Sequence, residues 1–200
     1  MQQWQWLAAV GALVLAGCAS SGKGGTDAVV QIQEEASTAT KQIGFAPQRL
    51  DCVGQRNCPT LGAHWSSATP QRAWLVVGVA HADASVGEVQ EVVFSGRPMA
   101  PIRVRSKASG AVPGGAPEAG ATVFQVPMDT LERVAFAKGV TVQVHTSTGA
   151  RLEEVMYNGE GSSAAQDALK RLVVEAYRGT DKEKSMGLLD MFGSKEPYQR

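Results

Sequence analysis

Hydrophobic positions along this chain change their period several times, and each change marks an element. Leu7 to Gly17 (LAAVGALVLAG) is a continuous run of apolar and small residues. From Asp27 onward, Val29, Ile32, Ala36 and Ile43 recur at helical spacing, with Lys41 near the end, so the pattern predicts a helix capped by Asp27 and stopped by Gly44. Trp74 to Ala80 (WLVVGVA) is short, apolar and rich in Val, which predicts a central strand buried on both faces. Val89 to Phe94 and Ile102 to Arg105 predict two more strands, the second alternating cleanly. Thr122 to Val126 predicts a strand ended by Pro127.

The clearest periods lie in the last third of the chain. Asp129 and Glu132 have the spacing of a capping box, so a helix of about nine residues is expected there, with Gly139 as its stop. Val140, Val142 and Val144 then alternate with Thr141, Gln143 and His145, and Ser147 to Ala150 can turn that strand back into Arg151 to Tyr157. Ser163 and Gln166 form a second capping box. Behind it, Ala165, Ala168, Leu169, Leu172, Val173 and Ala176 make the stripe of a helix packed on one face, with Gly179 as its stop.

This order predicts one α+β domain over residues 27–179, a compact, mostly antiparallel sheet with two or three packed helices. The length of 200 residues suits one domain with tails. Ser106 to Ala121 is rich in Gly, Ala and Pro and is expected to be a mobile loop, since it has few large apolar groups to bury. Trp65 and Trp74 are expected to anchor the core. After Gly179 a tail, residues 180–200, begins with charges and then gathers Met186, Leu188, Leu189, Met191 and Phe192. That segment is a candidate partner-binding motif, because Leu188, Leu189 and Phe192 share a face when helical.

The early apolar run ends in Leu15-Ala16-Gly17-Cys18 and is too short to cross a bilayer, which needs about 18 to 20 apolar residues. These residues resemble the lipobox of bacterial lipoproteins. The segment before the run, MQQWQW, carries no Lys or Arg. The resemblance implies a signal peptide over residues 1–17, cleavage before Cys18, and acylation (palmitate among the chains) of that cysteine. Ala19 follows Cys18, not the Asp that resembles an inner-membrane retention signal. The implied address is therefore the outer membrane, with the soluble domain in the periplasm. Residues 18–26, the lipidated Cys18 and the small polar stretch ASSGKGGT, form a flexible tether.

Charge and chemistry narrow the function classes. The 19 basic and 19 acidic side chains cancel without long runs of either sign, so nucleic acid is not an expected partner. Cys52 and Cys58 remain as an even pair, and in an oxidising compartment they are expected to form a disulfide. A zinc set of Cys52, Cys58, His64 and His81 lacks the paired close spacing of structural sites, and no metal or cofactor is expected. His81 and Asp83 are the one pair from which a hydrolase could be built, but no serine sits in a nucleophile-elbow pattern and no phosphate or dinucleotide loop is present. The reading is a non-catalytic, lipid-anchored scaffold or recruitment subunit of an envelope assembly, with an envelope protein as partner. A periplasmic module binding peptide, glycan or lipid is the first alternative, and the His81/Asp83 hydrolase the second.

Overall fold

Alternation and β-branched residues dominate where the chain forms sheets. The computed structural model describes residues 28–35, 38–52, 57–80, 86–97, 99–105, 107–108, 120–156 and 163–178. Its strands are β1 (Gln31–Glu35), β2 (Thr40–Arg49), β3 (Cys58–Ser66), β4 (Arg72–Ala80), β5 (Val89–Arg97), β6 (Ile102–Val104), β7 (Thr122–Pro127), β8 (Lys138–Thr146) and β9 (Arg151–Val155). Two helices complete it, α1 (Met128–Phe136) and α2 (Ala164–Tyr177). The fold is thus α+β, mostly antiparallel sheet with two helices, as the sequence implies.

The strands form two sheets, one of five strands in the order β1-β2-β3-β4-β7 and one of four in the order β6-β5-β8-β9. Every pairing is antiparallel. Period-two alternation turns Leu61, Ala63 and Trp65 of β3, Leu75 and Val77 of β4, and Phe124 of β7 into the same core as Val92, Phe94, Val142 and Val144 of the other sheet. Leu131, Val134, Leu169, Leu172 and Val173 bring both helices into that core. Between the sheets, the buried Thr122 hydroxyl donates to the Val89 carbonyl at 3.1 Å.

The helix expected over 27–44 is a β-hairpin. β1 and β2 pair with Ile32 opposite Ile43, and the chain reverses through Thr38 and Ala39, Ala39 at a φ of 50°. The helical spacing of Ile32 and Ile43 was a coincidence of register: two residues that a helix would stack on one side are here cross-strand partners. Thr38 and Thr40, poor helix formers, carried the contrary signal. Gly44 stops nothing and lies inside β2.

Other boundaries move for local reasons. Pro127, not Asp129, is the N-cap of α1, and no side chain caps that end; Asp129 sits in the first turn, where its charge opposes the positive end of the helix dipole. The helix closes at Ala137, whose N–H donates to the Arg133 carbonyl, and β8 starts at once, with Gly139 (φ 59°) inside it as a strand residue. Ser163 does cap α2, accepting from the Gln166 N–H at 3.3 Å. The Gln166 side chain does not reach back. It is fully buried, and its Nε2 donates to the carbonyls of Ala135 and Ala137, both at 3.2 Å, so it serves the last turn of α1. Trp65 is in the core as expected, whereas Trp74 is half-buried on the opposite face of the five-stranded sheet, in the row of His64. Most of the loop expected over 106–121, and the Gly179 stop, lie outside the described residues.

Candidate functional site

Of the residues singled out by sequence, Cys18, His81, Asp83, Met186, Leu188, Leu189, Met191 and Phe192 lie outside the described residues. Cys52 and Cys58 are joined in a disulfide, with their Cα atoms 5.8 Å apart. Both sulfurs are consumed, so neither is a thiolate for a metal or a redox step. Cys58 is fully buried at the start of β3, and the Leu50 N–H donates to the Pro59 carbonyl at 3.0 Å, so the bond pins the chain before β3 to the strand itself. Among the described residues, no group of three or more His, Cys, Asp or Glu side chains is placed to hold a metal.

His64 has a structural setting. It stands on β3 opposite Gly44, and its ring fills the space that a side chain at Gly44 would take. Burial there holds its pKa below the usual imidazole value of 6.5. Ser163 is spent as a helix cap.

The largest set of linked ion pairs among the described residues was not foreseen from sequence. It lies on the outer face of the four-stranded sheet. Inward residues of β8, Val140, Val142 and Val144, leave Thr141, Gln143 and His145 on that face. Register then sets cross-strand rows. Glu91 of β5 stands opposite His145, which stands opposite Arg151. One step along, Arg103 of β6 is opposite Val93, Val93 opposite Gln143, and Gln143 opposite Glu153. A bulge between Val89 and Glu91 lets Glu91 face outward while Val89 remains in the core.

Glu91 organises the rows. Its side chain is only 10% exposed, and a single oxygen, Oε1, accepts from Arg105 Nε at 2.9 Å and from Arg103 Nη1 at 3.3 Å. Its Oε2 lies 3.6 Å from His145 Nδ1. The Arg105 hydrogen bond, joined by Arg103 and opposed by burial, holds the Glu91 carboxyl below its ordinary pKa, and Glu91 raises that of Arg105. The second row is also linked: Arg151 Nη2 donates to Gln143 Oε1 at 2.7 Å, and Gln143 donates to Glu153. Beyond them, Lys107 Nζ reaches Glu88 Oε1 at 2.8 Å. The guanidinium side chains stay open to solvent, 60% exposed for Arg103 and 70% for Arg105. They are oriented from below and free above, an arrangement able to bind carboxylate or phosphate oxygens. The alternation of IRVR was legible; its partner Glu91 was not, because only the bulge turns that residue outward.

No family model, no curated protein and no solved structure matches this chain.

Proposed function

We propose that this protein is a lipid-anchored component of the bacterial cell envelope, held in the outer membrane through an acylated Cys18, which recruits a protein partner without catalysis. One observation carries the reading: the apolar run Leu7 to Gly17 ends in Leu15-Ala16-Gly17-Cys18, the residues that resemble a lipobox. Two acyl chains suffice for stable attachment, each buried methylene contributing about 0.8 kcal/mol. The disulfide between Cys52 and Cys58 supports the reading, because such bonds persist in an oxidising compartment and are rare where thiols are kept reduced. No helix among the described residues is long and apolar enough to cross a membrane. The recruitment half of the reading rests on the charged face of the four-stranded sheet, where Arg103 and Arg105 stand open to solvent.

The anchor is tested by Cys18→Ala in cells fed radioactive palmitate. The variant should take up no label and keep its leader, and normal labelling would sink the assignment. For recruitment, cross-linking of the tagged protein in cells followed by mass spectrometry should recover a recurrent envelope protein; recovery of none would count against it.

A further inference from the structure

Arg103, Arg105 and Lys107 occur at alternate positions of the sequence on and just beyond β6, which is an outer strand of its sheet among the described residues, while the backbone at Lys107 and Ala108 is paired with Phe124 and Val123 of β7. Each is held by an acid from the neighbouring β5 side, Arg103 and Arg105 by Glu91, and Lys107 by Glu88. Because one carboxylate serves two guanidinium groups, this edge has three cations against two anions. The excess is local, since the whole chain is neutral. Arg105 is held through Nε, which leaves its two terminal nitrogens for another acceptor, and Arg103 through Nη1, which leaves Nε and Nη2. Orientation by Glu91 lowers the conformational entropy lost when these long side chains bind.

We propose that this edge docks an extended acidic segment of a protein partner, with carboxylates at alternate residues of that segment meeting Arg103, Arg105 and Lys107. Spacing favours this occupant. Alternate residues of an extended strand repeat every ~6.6 to 6.8 Å, so a strand lying beside β6 keeps two carboxylates in step with Arg103 and Arg105, with the Lys107 side chain beyond them. The phosphates of a bilayer surface have no such repeat. The proposal deepens the recruitment reading and rests on it for the partner's being a protein. Charged side chains on an outer strand can also serve merely to prevent sheets from joining edge to edge, and the experiment separates the two roles.

The full chain, purified in neutral detergent micelles, is titrated against two fluorescein-labelled octapeptides, one alternating Glu with Thr and one with four Glu followed by four Thr. The alternating peptide should bind more tightly, and Arg103→Gln with Arg105→Gln should weaken it by about tenfold, two partly exposed ion pairs being lost. Arg72→Gln, on an exposed arginine of the other sheet, should leave affinity unchanged. Circular dichroism confirms folding; should the double variant fail it, Lys107→Gln, altering an exposed side chain, must still weaken binding measurably. Equal affinity for the two peptides, indifference to all three edge substitutions, or binding to phosphatidylglycerol vesicles in place of the peptide would each overturn the proposal. Edge variants that aggregate while binding the peptide normally would assign these charges to edge protection only. Loss of peptide binding leaves palmitate labelling of Cys18 untouched, and failure of that labelling leaves peptide binding untouched, so the two readings fail separately.

Discussion

A Cβ placed on Gly44 would lie 2.2 Å from Nδ1 and 2.9 Å from Cε1 of His64, so the absence of a side chain at 44 is what lets that ring lie down on the sheet. Gly44→Ala must push the ring aside, and overpacking of this kind costs roughly 1 to 3 kcal/mol. Urea unfolding of the variant should show a lower midpoint with an unchanged slope; an unchanged midpoint would mean that the ring has room to turn. Glu91 makes a prediction in pH. Its folded-state pKa lies below the ordinary glutamate value, so the stability it contributes is present above that value and is lost as pH falls through the lowered one. Glu91→Gln should therefore cost about 1 kcal/mol at neutral pH, allowing for partners that are largely in water. Thermal midpoints of wild type and variant should converge in acid, below the ordinary carboxylate pKa of about 4. A gap that persists unchanged there would refute the electrostatic role.

At the scale of elements, legibility followed how local the deciding interaction is. The β8–β9 hairpin and α2 were readable because their alternation, turn and cap lie within a few residues of one another. β3 went unread: its outward positions Thr60, Gly62 and His64 give no apolar period, and its inward Leu61, Ala63 and Trp65 are defined only by the sheet around them. Gln166 shows the same dependence, since its position predicted a reach back to Ser163, while its side chain answers carbonyls of a helix about thirty residues away. The β1–β2 hairpin was misread because the spacing of its apolar residues fits both periods. Its turn retains a cost that can be removed. Ala39 is held at a φ of 50°, a region where a side chain is strained and glycine is not. Ala39→Gly should raise stability by roughly 0.5 kcal/mol, relief of strain exceeding the added chain entropy. A fall in thermal midpoint would show that the neighbouring backbone already absorbs the strain.

For the whole molecule, the candidate site was the least legible part, because its Glu91, Arg103 and Arg105 are joined to the legible β8–β9 hairpin only by the pairing of β5 with β6 and β8 and by a bulge in β5. The disulfide was fully legible from parity. Its closed loop is short, and chain entropy alone assigns it about 2 kcal/mol. Replacing Cys52 and Cys58 by Ser should lower the guanidinium midpoint by a corresponding amount, and an equal midpoint for the two proteins would show the bond to be dispensable to stability. The segment Met186–Phe192 is tested by deleting Ser185 to Arg200. If it is a recruitment motif, the thermal midpoint stays and partner recovery in cells is lost; a lower midpoint with normal recovery assigns it to the domain itself.

Lys41 gives the molecule a direction. Its Nζ donates to the Glu175 carbonyl at 2.9 Å and lies 3.8 Å from the Glu175 carboxylate, so the last turn of α2 is fastened beside the tip of the first hairpin, where Lys41 pairs with Glu34. Ala28 precedes the far end of β1, whose five residues span roughly 13 Å at the rise of an extended chain. The polypeptide thus comes into the domain at one pole of β1 and leaves it at the other. Under the proposed attachment at Cys18, a pull from the membrane would enter the domain at Ala28 and would not bear directly on the Lys41–Glu175 contacts at the other end of β1.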